Sequence, residues 1–242
     1  MKTAKITTVF DNTVLDPKFE SAWGFACVIE LPETTVLFDT GCDGKILLAN
    51  LEKLDFDPAE LSTVVISHMH WDHKDGLPAF LKKNPYADVY VAKSRDANVQ
   101  QDIAAHAKNV FTVDESRQIV PGLFSLGELP GRMPEQSLAL PTADGLVVIT
   151  GCAHPGIVEI VEHARKQFAD QPISLVMGGF HLKDHDPDEV AAIITEMEIM
   201  RVGRVSPTHC TGEAAIQAFA EAYGENYLQG GVGFQIEIPL ER

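Results

Sequence analysis

The sequence predicts an α/β protein in which two mixed β-sheets pack face to face with helices outside. Three observations lead there. The chain opens with a β-rich stretch, strand–helix units then recur in both halves, and the phosphate-cradling motifs GxGxxG after the first strand and GxxxxGK[ST] are absent. The 242 residues suffice for one large domain, and no long linker, charge block, low-complexity tract or repeat divides them. A single domain over residues 1–242 is therefore expected.

The elements follow in order. Lys5–Val9, Gly24–Leu31 and Thr35–Phe38 read as strands, with Leu31-Pro32-Glu33-Thr34 as a hairpin turn. Asp43–Leu54 carries Ile46, Leu47, Leu51 and Leu54 at helical spacing, Asp57-Pro58 starts a short helical turn, and Ser62–Ser67 is a buried strand. Leu77–Lys83 is a helix ending before Pro85, Ala87–Val91 a strand, Ser94–Ala107 a helix capped by Ser94, and Val110–Val113 a short strand. Gln118–Leu126 and Ser137–Leu140 look antiparallel, and Gly145–Thr150 is a buried strand. Gly156–Phe168, Pro187–Met200 and Thr211–Tyr223 are helices alternating with strands at Ile173–Met177, Val202–Ser206 and Phe234–Ile238.

Nineteen Lys and Arg against 35 Asp and Glu leave a formal charge of −16. A surface this acidic repels phosphate backbones, so no nucleic-acid partner is expected. Apolar runs are strand-sized, such as Thr63-Val64-Val65-Ile66, so no membrane partner is expected either. The opening Met1-Lys2-Thr3-Ala4-Lys5 lacks a signal-type apolar region, which points to the cytoplasm. Cys27, Cys42, Cys152 and Cys210 show no CxxC spacing and read as free thiols.

The chemistry concentrates in Ser67-His68-Met69-His70-Trp71-Asp72-His73. This segment follows a buried strand and precedes a helix, so it forms a loop at a strand's carboxyl end, where ligands bind. Three imidazoles and a carboxylate within six residues suit Zn, Fe or Mn. His68 and His70 can converge on one ion, while Asp72 and His73 fall on the other side of the loop and can reach a second. Three more His-bearing loops follow buried strands: Gly151-Cys152-Ala153-His154, Gly178-Gly179-Phe180-His181 and Pro207-Thr208-His209-Cys210. Small residues flank each His and leave room for an ion or substrate. His154 and His209 read as metal ligands. His181 is open between metal ligand, substrate-facing proton donor and structural residue, and Cys152 between thiolate ligand and buried thiol. His106, His163 and His185 read as surface residues, Glu135 as a surface charge and Trp71 as a packing residue under its loop.

Asp39-Thr40-Gly41 after a strand, then SHMHWDH, then separated strand-end His residues, resembles the metallo-β-lactamase-fold superfamily of metallohydrolases. The strings TGCAHPGI, GGFHL and PTHCTG are similar to one branch of it. That branch groups with the archaeal 7,8-dihydropterin-6-methyl-4-(β-D-ribofuranosyl)aminobenzene-5′-phosphate synthase. The resemblance implies a four-layer αββα sandwich with a metal centre at one edge. His68 and His70 then match first-site ligands, Asp72 and His73 second-site ligands, His209 the last ligand, and Asp39 a buried carboxylate that orients ligands. The chain departs from the usual pattern in lacking a His around Pro130–Leu140 and in reading Gly151-Cys152-Ala153-His154 where a bridging Asp would stand.

The expected activity is a metal-dependent hydrolase of a small ester, lactone, thioester or phosphodiester. Two divalent ions, Zn ahead of Mn or Fe, would hold and activate a water. Asp72 would serve both as ligand and as proton acceptor, and His181 as donor to the leaving group. The alternatives are a transferase joining a dihydropterin to an arylamine ribofuranosyl phosphate, and a metal-binding module without turnover.

Overall fold

The computed structural model describes residues 2–93, 103–169 and 171–240. One sheet comprises β1 (Thr3–Phe10), β2 (Ala26–Leu31), β3 (Thr34–Phe38), β4 (Thr63–Ile66), β5 (Asp88–Ala92), β6 (Asn109–Val113) and the closing β13 (Gln235–Pro239). Its spatial order is β13-β1-β2-β3-β4-β5-β6. The pairs from β13 to β3 are antiparallel and those from β3 to β6 parallel. The other sheet runs β12-β11-β10-β9-β8-β7, from β7 (Arg117–Val120), β8 (Leu123–Leu129), β9 (Glu135–Thr142), β10 (Gly145–Thr150), β11 (Ile173–Gly179) and β12 (Val205–Thr208). Here β10, β11 and β12 are parallel. Both sheets are mixed, as the sequence predicts.

Alternation along the strands explains the layers, because successive side chains point to opposite faces. In the first sheet Cys27, Ile29, Val36, Phe38 and Val65 face inward, against Leu138, Leu140, Val147, Ile149 and Met177 of the second. Val28, Leu37, Val64 and Ile66 face outward, under α1 (Gly44–Lys53) and, beyond the four-residue α2 (Trp71–Lys74), α3 (Leu77–Lys83). Leu146, Val148 and Val176 point away on the far side, under α4 (Ile157–Gln167), α5 (Pro187–Ile199) and α6 (Glu213–Tyr223). The result is an αββα sandwich.

Local chemistry sets the boundaries. Asp43 Oδ1 accepts from the Lys45 N–H at 2.7 Å and starts α1, and Asp186 and Glu189 form a reciprocal capping box on α5. The Gln118–Leu126 span lies in a hairpin of antiparallel strands, turning at Pro121-Gly122, where Gly122 has φ 86°. The first helical turn after β12 is a separate 3₁₀ turn (His209–Thr211), and α6 begins only after Gly212. Most of the expected Ser94–Ala107 helix lies outside the described residues. Among the described residues no helix is long and apolar enough to cross a membrane, and Cys27, Cys42, Cys152 and Cys210 are all free thiols.

The parallel strands matter most for function. The segments that leave β3, β4, β10, β11 and β12 carry Asp39, the Ser67–His73 run, Cys152 and His154, His181 and His209, and they meet at one edge of the sandwich. Gly151 permits the two sheets to approach there. A Cβ on it would sit 2.2 Å from Ser67 Oγ and 3.0 Å from Asp39 Oδ2, so any side chain would push the β10 loop away from β4.

Candidate metal centre

Three groups of candidate ligands converge at this edge, the third of them, Cys152, His154 and His181, sharing members with the other two. His68, His70 and His154 each offer one ring nitrogen, all within 4.8 Å of one another; Asp72, His73, Cys152 and His209 do the same with a carboxylate oxygen, a sulfur and two nitrogens. His68 Nε2 lies 3.1 Å from His70 Nδ1, and His73 Nε2 lies 3.2 Å from His209 Nε2 and 3.1 Å from Cys152 Sγ. Asp72 Oδ2 is 3.3 Å from His209 Nε2. Nitrogen ligands about 2.0–2.1 Å from a tetrahedral ion are themselves separated by about 3.3 Å.

The outer hydrogen bonds decide which ring nitrogens carry protons. Asp39 Oδ2 takes His73 Nδ1–H at 2.7 Å, and Glu135 Oε2 takes His154 Nδ1–H at 2.8 Å. Ser67 Oγ donates to Asp39 Oδ2 at 2.7 Å, so it can only accept from His68 Nδ1–H, at 2.9 Å. Asn12 Oδ1 accepts from the Gly24 N–H, which fixes the amide so that His209 Nδ1–H also donates to Oδ1, at 3.0 Å. Four imidazoles are therefore protonated on the outer nitrogen and turn the Nε2 lone pair inward. Lone pairs facing each other at 3.2 Å repel unless a cation lies between them. This donor set fits divalent ions.

Electrostatics agree. Burial, with the charge of His73 next, pushes His68 well below the usual imidazole value, and burial with His154 lowers His70; the neutral ring is the ligating form. Burial opposes ionisation of Asp72, but its hydrogen bond with His209 and the His73 charge outweigh it and hold the carboxyl below the carboxylate range. Burial also disfavours a charged His73, yet Asp39 dominates and raises it to about 9. In the metal-free protein a proton on His73 thus stands in for the ion. Metal uptake at pH 7.5 should then release one proton more than uptake above pH 10, the extra one coming from His73. The dependence of calorimetric binding enthalpy on buffer ionisation heat measures this; equal release at both pH values would contradict it.

Backbone geometry is committed to the site as well. Asp39, Ala153, His181 and His209 have φ of 59°, 62°, 54° and 52°, a region that costs a non-glycine residue about 1 kcal/mol or more. The networks around Asp39 and Glu135 hold the turns at Asp39 and Ala153, and Asn12 holds that at His209 through its carbonyl and Nδ1.

Each residue singled out in the sequence can now be placed. His68, His70, Asp72, His73, His154 and His209 lie together, and Cys152 joins the Asp72 group. His181 stands beside them with its ring centroid 4.4 Å from that of His154, and its buried Nδ1 has no hydrogen-bond partner. Glu135 is not a surface charge. It is 1% exposed, and its Oε1 accepts the N–H groups of Gly151, Cys152 and Ala153 while Oε2 accepts that of His154. Trp71 is not packed under its loop but is 54% exposed, because the first turn of α2 aims it outward. His106 and His185 are exposed, whereas His163 is half-buried with Nε2 3.1 Å from the Leu126 carbonyl. Asn12, just past β1, escaped the sequence reading entirely.

Comparison with known proteins agrees with the fold. The family model for the metallo-beta-lactamase superfamily matches residues 24–209. The chain is 26% identical to the 7,8-dihydropterin-6-methyl-4-(beta-D-ribofuranosyl)-aminobenzene-5′-phosphate synthase of Methanocaldococcus jannaschii, covering 91% of this chain and 92% of that one. An uncharacterized protein of the same archaeon is 27% identical, covering 96% and 100%. The structure of Tm1679, a metal-dependent hydrolase of the beta-lactamase superfamily, superposes with a TM-score of 0.80 at 28% identity, covering 96% and 98%. Human short-form tRNase Z shares the fold with a TM-score of 0.64 at 15% identity, covering 98% and 100%. The αββα sandwich, the convergent donor set at its edge and the span of the match give one answer: the chain is an enzyme of the metallo-beta-lactamase superfamily.

Proposed function

We propose that the protein is a metal-dependent hydrolase of a small ester, lactone, thioester or phosphodiester. The observation that carries this reading is the set of four imidazoles with Nδ1 engaged outward and Nε2 turned in. His68, His70 and His154 would hold one divalent ion, and Asp72, His73, His209 and Cys152 a second, with Zn favoured by the imidazole and thiol donors. When bound, such ions polarise a carbonyl or phosphoryl oxygen and bring the pKa of water toward neutrality. Asp39 and Glu135 keep the ligating rings in one tautomer and orientation. Asp72, held ionised, both binds and accepts a proton from the attacking water through its carboxylate. His181 holds a proton on its ring for the leaving group, from the wall of a 360 Å³ cavity that it shares with His154, Phe180 and Leu182. Burial of His68, His73 and His209 keeps bulk water from the ligand side of the centre.

The test pairs metal analysis with turnover. The purified protein should carry two equivalents of metal per chain, falling in His70→Ala and His73→Ala. It should cleave chromogenic esters or bis-(p-nitrophenyl) phosphate in a chelator-sensitive way. Full metal loading without any such turnover would sink the hydrolase reading. Tight dihydropterin binding in that case would favour the transferase chemistry named for the archaeal relative, which matches over 91% of this chain.

A further inference from the structure

In the second sheet β11 separates β10 from β12, the two strands whose following turns carry Cys152 and Cys210. Paired strands lie about 4.8 Å apart, so strands on either side of a third stand about 10 Å apart. That is beyond the reach of a disulfide. The two cysteines meet nonetheless, because β11 ends in Gly178-Gly179 and both turns fold over it. A Cβ on Gly179 would lie 2.7 Å from Cys210 Sγ and 3.2 Å from the Cys152 Cα. The space that a side chain would fill thus holds the Cys210 sulfur. Cys210 Sγ is 3.5 Å from the Cys152 carbonyl oxygen, and the two thiols lie within hydrogen-bonding reach of each other.

Cys152 therefore faces two ways. Its sulfur is 3.1 Å from His73 Nε2, in the group that includes Asp72 and His209. On its other side stands Cys210, which among the described residues belongs to no candidate ligand group. A thiolate is the form that binds a metal, and a sulfur in a disulfide has lost that charge. One atom cannot serve an ion and Cys210 at once. The other two thiols are placed elsewhere, Cys27 between the sheets and Cys42 on the outer face of the first sheet. Cys152 and Cys210 are 3% and 2% exposed, but a small oxidant has a route. The 360 Å³ cavity is lined by Ala153 and Phe180, the residues that follow Cys152 and Gly179.

We propose that Cys152 and Cys210 are a redox pair: hydrogen peroxide joins them in a disulfide, which withdraws the Cys152 sulfur from the Asp72, His73 and His209 group and loosens the ion held there. One thiol attacks a peroxide oxygen, the O–O bond breaks, and the sulfur becomes a sulfenic acid as water leaves. The other thiol attacks that sulfur, the S–O bond breaks, and a second water leaves. Two thiols and one peroxide give one disulfide and two waters, the sulfurs together losing the two electrons that peroxide gains. Thiol–disulfide exchange with a small dithiol reverses the step. Since ion and disulfide compete for one sulfur, each disfavours the other. The proposal rests on the metal-binding part of the functional reading above and not on hydrolysis.

Metal content is measured first, and the full chain is then studied stripped of metal and titrated with zinc. Peroxide should remove two hydrogens from the mass of the stripped chain. Digestion without reductant should give one cross-linked peptide pair, joining Cys152 to Cys210, and dithiothreitol should restore both thiols. The oxidised chain should bind zinc at the Asp72 group at least about tenfold more weakly than the reduced chain. Untreated Cys210→Ser should bind zinc as wild type does, because Cys210 is not itself a ligand. Four free thiols after peroxide treatment, or a cross-link through Cys27 or Cys42 instead, would overturn the proposal. So would an oxidised chain with unaltered zinc affinity, or an untreated Cys210→Ser that has already lost zinc. The cross-link is read in wild-type protein, so a variant that failed to fold would not rescue the idea. Absence of zinc from the reduced chain would sink the metal reading, whereas absence of the cross-link sinks this proposal alone.

Discussion

Glu135→Gln is expected to destabilise the protein by about 3 kcal/mol at pH 7.5, although it preserves side-chain volume. The carboxylate accepts four backbone N–H groups and His154 Nδ1–H from a position that is 1% exposed. A glutamine must aim its own NH₂ at donors, so no rotamer satisfies the whole set. Burial works against ionisation of Glu135, but Coulombic attraction to the neighbouring His68 ring and the hydrogen bond with His154 outweigh it and hold the carboxyl well below the usual range. Since the folded pKa is depressed, this stabilisation is present above the ordinary glutamate value and is lost as pH falls toward the folded one. Urea midpoints of wild type and variant should therefore converge as the pH drops below about 4. A gap that stays constant with pH would mean that shape, not charge, is what the site needs. The variant should also lose metal from the His68, His70 and His154 group first, because His154 depends on Glu135 for its tautomer.

Asp72→Ala is expected to lower kcat/KM on any hydrolysed substrate by about 10²–10⁴-fold. Its Oδ2 is 3.3 Å from His209 Nε2 and 3.7 Å from His73 Nε2, so the change removes one donor of four from that group. Metal content should fall toward one equivalent while the three-imidazole group stays loaded. Elemental analysis of the variant beside steady-state kinetics decides the matter. Two retained equivalents with turnover within tenfold of wild type would take Asp72 out of both roles.

Most of the fold was legible because its signals are local. Asp43 before an apolar helical pattern, the Pro32-Glu33 turn and the buried runs at Val64–Ile66 and Leu146–Ile149 each carry their own punctuation. The SHMHWDH run was legible for the same reason: its ligands lie within six residues. Glu135 was not. A glutamate after Pro134 and before Gln136 has the local features of a surface residue, and only the antiparallel pairing of β9 with β10 brings it under the N–H groups of residues 151–154. Asn12 was missed because its role exists only through His209, 197 residues away. Trp71 was misplaced because the sequence shows that the loop turns into a helix but not which way the first turn of so short a helix faces. The Gly151-Cys152 substitution for a bridging Asp was visible; what the sequence could not supply was the 3.1 Å approach of Cys152 Sγ to His73 Nε2.

The meeting of loops from both sheets at one edge has a kinetic consequence. His73 and His209 are 136 residues apart in the chain, and Asp39 and Ser67 belong to one sheet while Glu135 and His154 belong to the other. Neither half on its own can present the complete constellation. Contacts this distant form only after a large loop-closure cost has been met. Capture of an ion by the Asp72, His73 and His209 group would therefore be a late event in folding, one that would slow the unfolding of finished molecules more than speed the search of unfinished ones.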